Sequence, residues 1–158
     1  MTELTTTFEL LRQHDACTEG YTKLARHLGG VNAYGRTTPI TLLTILESNG
    51  IADTLWSLRA VPPEQRETRD HLAREFACDC AERVLPLYEG RYPDDPRPRE
   101  AIAVVRRYLA GTATEAELRA AAADAAYAAA AAAAGEREWQ AHRLRELLTE
   151  LPRSEVTA

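Results

Sequence analysis

The chain has 158 residues, a formal net charge of -5 at pH 7 and 45% hydrophobic residues. This length and composition are typical of one globular domain, and the acidic balance argues against direct binding of nucleic acid. The N-terminus carries Glu3 and Glu9 without a basic patch before an apolar run, which argues against a secretory signal. The longest apolar run, the alanine tract 125–134, is too short and too weakly hydrophobic for a membrane span. The three cysteines form no disulfide framework, so we expect a cytoplasmic protein.

Four short helices are predicted in the first half of the chain. Glycine, proline and Asn-Gly pairs separate segments of helical periodicity, and no segment shows the sustained alternation of a strand. Thr7 can cap the first helix, and Pro39 suits the first position of the third. The helices are predicted at 7–13, 18–28, 39–49 and 51–61, with a loop over 31–38.

Two further helices are predicted between Pro63 and Gly111. Apolar residues recur every four positions along the first of them and predict one buried stripe. Pro86 should kink or end this helix because proline has no amide proton. Asp95 can cap the next helix with Pro96 at its first position. The stripe consists of Leu72, Phe76, Cys80 and Val84, and we expect it to share a core with Ile102, Val105 and Leu109.

A final helix is predicted from Thr114 to about Leu151. Thr114 and Glu117 form a capping box, and 13 of the 15 residues from Ala120 to Ala134 are alanine, the strongest helix former. Small side chains let helices approach closely. The tract is therefore either a central helix sheathed by its neighbours or a self-associating ridge that gives a homodimer.

The predicted fold class is all-α. We expect a single helical domain over residues 1–152, a bundle of six or seven helices with a long alanine-rich C-terminal helix. Residues 1–61 would supply the N-terminal helices and residues 63–152 the remainder. Residues 153–158 are expected to form a disordered tail.

No arrangement of residues in the sequence indicates a catalytic, metal or cofactor site. Cys78 and Cys80 are two positions apart, so their sulfurs would point about 200° apart on a helix. The histidines show no zinc-ligand spacing relative to them, and no nucleophile motif surrounds His14 and Cys17. The glycine-rich segment 28–35 follows a helix and lacks the end of a phosphate-binding loop. We expect no enzyme activity, no metal and no cofactor.

Two segments combine aromatic and charged side chains, as the contact residues of protein interfaces often do. The first is the connector between the two second-half helices, and the other lies on the final helix. Mixed charge is usually a feature of a solvated loop, and a tryptophan more often belongs to the core than to an exposed contact. The candidate protein-binding residues are Tyr88, Arg91, Tyr92, Asp94, Arg97 and Arg99 in the connector, and Trp139 and His142 on the final helix.

The second half of the sequence resembles a family of immunity proteins associated with bacterial toxin systems. Three segments and the alanine-rich helix carry the resemblance: 76–89 (FACDCAERVLPLYE), 95–102 (DPRPREAI) and 138–148 (EWQAHRLRELL). Residues 63–152 are therefore the immunity-like part. Members often carry tryptophan inside the alanine helix, where this chain has Tyr127. The first half resembles segments of phage-borne and bacterial proteins of unknown role.

The resemblance implies a non-enzymatic inhibitor that binds a partner protein and occludes its functional surface. The partner would be a toxin or a defence effector. A phage setting would instead make the chain an antagonist of a host defence complex, as anti-CRISPR proteins are. A self-associating structural helical protein is the third alternative.

Overall fold

A computed structural model of the chain describes residues 3–121 and 137–152. Within these ranges the fold is all-α apart from one sheet of two short strands, which confirms the predicted fold class. The strands β1 (Thr5–Thr6) and β2 (Ile40–Thr41) pair antiparallel, with Thr5 opposite Thr41 and Thr6 opposite Ile40. The helices are α1 (Phe8–Gln13), α2 (Thr18–His27), α3 (Val31–Tyr34), α4 (Leu42–Asn49), α5 (Ile51–Ser57), α6 (Arg66–Arg91), α7 (Arg97–Leu109), α8 (described over 115–121) and α9 (Arg137–Glu150), with 3₁₀ helices at Leu58–Ala60 and Pro63–Gln65.

The helix boundaries of the first half agree with the sequence at most ends. Thr7 caps α1 as predicted, since its hydroxyl accepts the Leu10 N–H at 3.1 Å. The prediction for Pro39 was wrong because Ile40 and Thr41 pair with β1, and α4 begins only at Leu42 with Thr41 as its cap. The segment predicted as a loop over 31–38 contains the one-turn helix α3.

The described residues divide into two compact units, of which the first comprises 3–70 and 138–152. Its core surrounds Phe8, which is fully buried and meets the rings of Tyr21 and Tyr34 edge-on at centroid distances of 5.2 and 6.1 Å. Helix α9 belongs to this unit, and Arg145 donates a 2.8 Å hydrogen bond to Glu47 on α4. The buried residues of this core cluster are Phe8, Leu11, Leu24, Ile40, Ile45 and Ala60.

The second unit comprises 71–121 and residue 137, and its main elements are most of α6 and all of α7. Arg99 donates two hydrogen bonds of 2.7 Å to the Glu89 carboxylate, and Arg106 donates to both oxygens of Glu82 at 2.9 and 2.7 Å. The two arginines are seven residues apart on α7, and the two glutamates are seven apart on α6. Equal spacing in opposite chain directions is what an antiparallel helix pair requires, so these bonds fix the register of α6 against α7.

Helix α6 departs from its sequence prediction in two respects. It does not end at Pro86, one of the two predicted effects of this proline, but continues through it to Arg91. Because proline has no amide proton, the Glu82 carbonyl four residues earlier lacks its usual helical hydrogen-bond donor. Cys78 is buried and Cys80 only half-buried, whereas Cys80 had been placed in the stripe. Cys78 and Leu85 are two and nine residues after Phe76, about 200° and 180° around the helix. Helix α6 is therefore buried on two opposite sides rather than along one stripe.

Two of the predicted features fall outside the described residues. These are the alanine tract 125–134, with the choice between a sheathed helix and a dimer ridge, and the tail 153–158. Helices α8 and α9 both lie in the segment predicted as one final helix. Among the helices that are described, none combines the length and the apolar character needed to cross a membrane.

Candidate functional site

Asp95 organises the α6–α7 connector, defined as residues 88–99. The Tyr88 hydroxyl donates to Asp95 Oδ2 at 2.8 Å, and the Arg97 guanidinium donates to both carboxylate oxygens at 2.8 and 2.7 Å. The Arg97 backbone N–H, the first amide of α7, also donates to Asp95 Oδ1 at 3.2 Å. The N-cap residue of α7 is Pro96, so the prediction of Asp95 as the cap with Pro96 at the first helical position was wrong by one residue. Arg97 and then Tyr88 hold the pKa of Asp95 well below its usual range. The same hydrogen bond to Asp95 raises the pKa of Tyr88.

Arg97 and Arg99, predicted from the sequence as binding residues, are both engaged within the chain. Arg99 binds Glu89 across the connector, and this pairing lowers the pKa of Glu89. The arginine side chains nevertheless keep 63% and 65% of their surface exposed. They therefore brace the connector and remain accessible to a partner.

Exposed apolar surface lies beside these ion pairs. Leu87 is 78% exposed and Tyr92 is 48% exposed. The Tyr92 ring packs on Tyr88 at a centroid distance of 5.0 Å, and Arg91 Cζ lies 5.6 Å from the Tyr92 centroid. Asp94 is exposed in the turn two residues after Tyr92. Leu87 was not predicted as a site residue from the sequence. Helical periodicity places it only about 20° around the helix from the buried Phe76, so it would be expected to be buried as well.

The other two predicted site residues lie on α9, in the first unit. Trp139 is half-buried, and His142 is exposed. His142 Nε2 is 3.1 Å from Glu146 Oε1, and Arg143 lies 3.2 Å from the other oxygen of the same carboxylate. These residues form a charged surface patch. The structure brings the six connector residues together within the second unit, while Trp139 and His142 belong to the first.

The cysteines and acidic residues form no recognisable catalytic arrangement within residues 3–121 and 137–152. No group of three histidine, cysteine or acidic side chains in these ranges could hold a metal ion. Burial raises the pKa of the Cys78 thiol to about 11, which keeps it protonated at neutral pH. Cys17 is exposed, and its sulfur caps α2 by accepting the Gly20 N–H at 3.4 Å.

Fold and site together define an all-α protein with an exposed aromatic and charged surface at a braced helix turn. A family model described as "Imm-5 like putative immunity protein" matches residues 64–144, which are 81 of the 158 residues. The chain belongs to this family of immunity-like proteins, as the residues of its second half predicted. No curated protein matches the chain, and no solved structure does.

Proposed function

We propose that the protein is a non-enzymatic inhibitor that binds a partner protein and covers its functional surface. Family membership supports this proposal, because the match over 64–144 contains the whole α6–α7 connector. The partner in this proposal is a toxin or a defence effector. Binding requires no cofactor and takes place in the cytoplasm.

The observation that carries the proposal is the exposure of Leu87 and Tyr92 beside Arg91. Aromatic residues and arginine are enriched among the residues that dominate binding energies, and large exposed apolar side chains often mark interaction sites. The pairs Glu89–Arg99 and Asp95–Arg97 restrain the connector before any partner binds. A braced surface loses less conformational entropy on binding, which favours affinity.

Net charge indicates the kind of partner. The chain carries a formal charge of -5 at pH 7, so a basic partner would be attracted over distance and would associate faster at low salt. We therefore propose a partner whose functional surface is basic.

The test is co-expression with the candidate toxin encoded beside this gene, followed by calorimetric titration of the purified pair. The triple variant Leu87→Ala, Arg91→Ala and Tyr92→Ala should lose growth protection and bind about 10–30-fold more weakly, a loss of roughly 1.4–2 kcal/mol. Leu55→Ala is the matched control, because Leu55 is also an exposed leucine, at 38%. Arg97 and Arg99, and then Trp139 and His142, are tested next as alanine variants.

Four outcomes would revise or overturn the proposal in different ways. Unchanged affinity in the triple variant, with loss in the α9 variants, would move the surface to Trp139 and His142. A defence complex as the only partner would favour the phage antagonist. Turnover of a substrate by the purified protein would exclude the non-enzymatic proposal, and a stable homodimer without any partner would favour the structural alternative.

A further inference from the structure

The first unit contains a partly enclosed cavity of about 300 Å³. Residues of α1, α2, α4 and α5 and of the turn after α1 line it. This volume is at the lower end of the range found for small-molecule sites, which are typically apolar with a few fixed polar groups. The principal apolar lining residues are Leu11, Tyr21, Leu24, Ile45 and Trp56.

One carboxylate of the lining is held in a fixed position. Asn49 Nδ2 donates to Asp53 Oδ2 at 2.7 Å and to the Gly20 carbonyl at 2.8 Å. A Cβ at Gly20 would meet Asp53 Oδ2 at 2.6 Å, so the absence of a side chain there lets the carboxylate approach α2 this closely. Asp53 is half-buried, and its second oxygen, Oδ1, makes no hydrogen bond within the described part of the chain.

The described residues of the lining carry negative charge and no positive charge. Asp53 lies in the wall and the exposed Asp15 also lines the cavity, whereas no lysine, arginine or histidine of the described ranges does so. Arg59 stacks on the Trp56 ring at 4.9 Å from its centroid but is not part of the lining. The carboxylate can therefore pair with the charge of a ligand, while Tyr21 and Trp56 contact its apolar body.

We propose that this cavity binds an organic cation, an ammonium group on an apolar stem. A carboxylate in a partly desolvated wall attracts a cation more strongly than one in bulk water. The apolar lining would exclude small hydrated ions and favour a ligand with a hydrophobic body. The ammonium group can come from a free amine or from a lysine side chain. This site lies outside the segment 64–144 and does not depend on the proposed function.

The test uses phenethylamine as the free amine and 2-phenylethanol as its neutral analogue. Binding is followed through Trp56 fluorescence in a Trp139→Phe background, which leaves one tryptophan. Phenethylamine should bind saturably with a Kd on the order of 1 mM, as expected for a ligand with so few atoms. The alcohol should bind at least about 10-fold more weakly because it carries no charge to pair with Asp53.

Asp53→Asn should weaken phenethylamine binding by about 10-fold or more, because it removes the charge and keeps the side-chain shape. Asp94→Asn is the matched control: it removes the same charge at an exposed position of the second unit, and should leave the Kd unchanged. If Asp53→Asn fails to fold by circular dichroism, Ala52→Phe replaces it. Ala52 is exposed and lines the cavity, so a ring there should block entry.

A blocked Gly-Lys-Gly tripeptide distinguishes the sources of the ammonium group. Binding of phenethylamine alone assigns a free amine, and Asp53-dependent binding of the tripeptide assigns a lysine side chain; both support the cation site. Equal binding of amine and alcohol would overturn the proposal, as would an unchanged Kd in a folded Asp53→Asn protein. Absence of saturable binding by both the amine and the tripeptide would also overturn it.

Discussion

The Tyr88 hydroxyl donates a 2.8 Å hydrogen bond to Asp95, seven residues later, and Asp95 holds Arg97 with its two carboxylate oxygens. The end of α6 is thereby tied to the start of α7 through one ionised carboxylate. The pKa of Asp95 is depressed, with the Arg97 pairing as the largest cause. A carboxyl group with a depressed pKa in the folded state stabilises the fold above its unfolded pKa, and this contribution is lost as pH falls.

Asp95→Asn should therefore reduce the pH dependence of stability in acid. In the parent protein the free energy of unfolding should fall as pH drops below about 4, where the unfolded carboxyl becomes protonated. The variant should show a shallower fall, measured as the urea midpoint at several pH values between about 2 and 7. Asp94→Asn changes the adjacent exposed residue and serves as the control. Parallel pH profiles for the parent and Asp95→Asn would contradict this role.

Arg106 should contribute more to stability than Arg99, although both bind carboxylates of α6. Arg106 contacts Asp79 as well as Glu82, and the Asp79 side chain is only 10% exposed. Hydrogen bonds to charged groups contribute roughly 1.5–3 kcal/mol when they are shielded, whereas exposed pairs contribute about 0–1 kcal/mol. Arg106→Ala should lower the free energy of unfolding by about 2 kcal/mol and Arg99→Ala by less than about 1 kcal/mol. Equal urea midpoints of the two variants would show that the burial of Asp79 does not strengthen the contribution of Arg106 to stability.

Local signals in the sequence were sufficient to predict where most helices begin and end. The capping box is formed as predicted: Thr114 N–H donates to Glu117 Oε2 at 2.7 Å, and Glu117 N–H donates to Thr114 Oγ1 at 3.3 Å. Gly111 has a φ of 73° where α7 was predicted to close, a conformation that favours glycine. Such features depend on neighbours three or four residues away, so the sequence carries the necessary information.

Interactions between distant residues were not predictable in this way. β1 and β2 have two residues each, which is too short for a period-two pattern to show. Helix α6 is buried on opposite sides, so no single apolar stripe marks its buried residues. A prediction based on one stripe therefore placed Cys80 in the core instead of Cys78. For the candidate site, composition indicated the connector, but the bonds of Arg97 and Arg99 and the exposure of Leu87 depend on how α6 and α7 pair. The single-domain organisation over 1–152 and the binding roles of the site residues stay predictions.

Gln65 should stabilise the open edge of β1 through its side chain. Its Oε1 accepts the Thr5 N–H at 2.9 Å, and its Nε2 donates to the Glu3 carbonyl at 3.1 Å, as a neighbouring strand would. Gln65→Leu should lower the free energy of unfolding by about 1–2 kcal/mol, because two backbone groups lose their partners. The Thr5 amide should also exchange with solvent faster.

Two substitutions serve as controls for Gln65→Leu. Gln65→Glu keeps an acceptor for the Thr5 N–H and should preserve slow exchange of that amide better than leucine does. Gln13→Leu makes the same change at an exposed position and should alter the urea midpoint little. If the Thr5 amide exchanges equally fast in the parent and in Gln65→Leu, the side chain does not protect the strand edge.

Phe76 and Leu87 should respond oppositely to truncation although both are apolar residues of α6. Phe76 is 7% exposed and Leu87 is 78% exposed, despite lying on nearly the same side by helical periodicity. Phe76→Ala should lower the free energy of unfolding by about 3–5 kcal/mol, the usual effect of truncating a buried aromatic ring. Leu87→Ala should change it by no more than about 0.5 kcal/mol, since little buried surface is removed. Urea unfolding followed by circular dichroism measures both.

An unchanged midpoint for Phe76→Ala would show that this side chain faces solvent. A large loss for Leu87→Ala would show that Leu87 supports the fold, and its effect on inhibition could then no longer be assigned to partner contact.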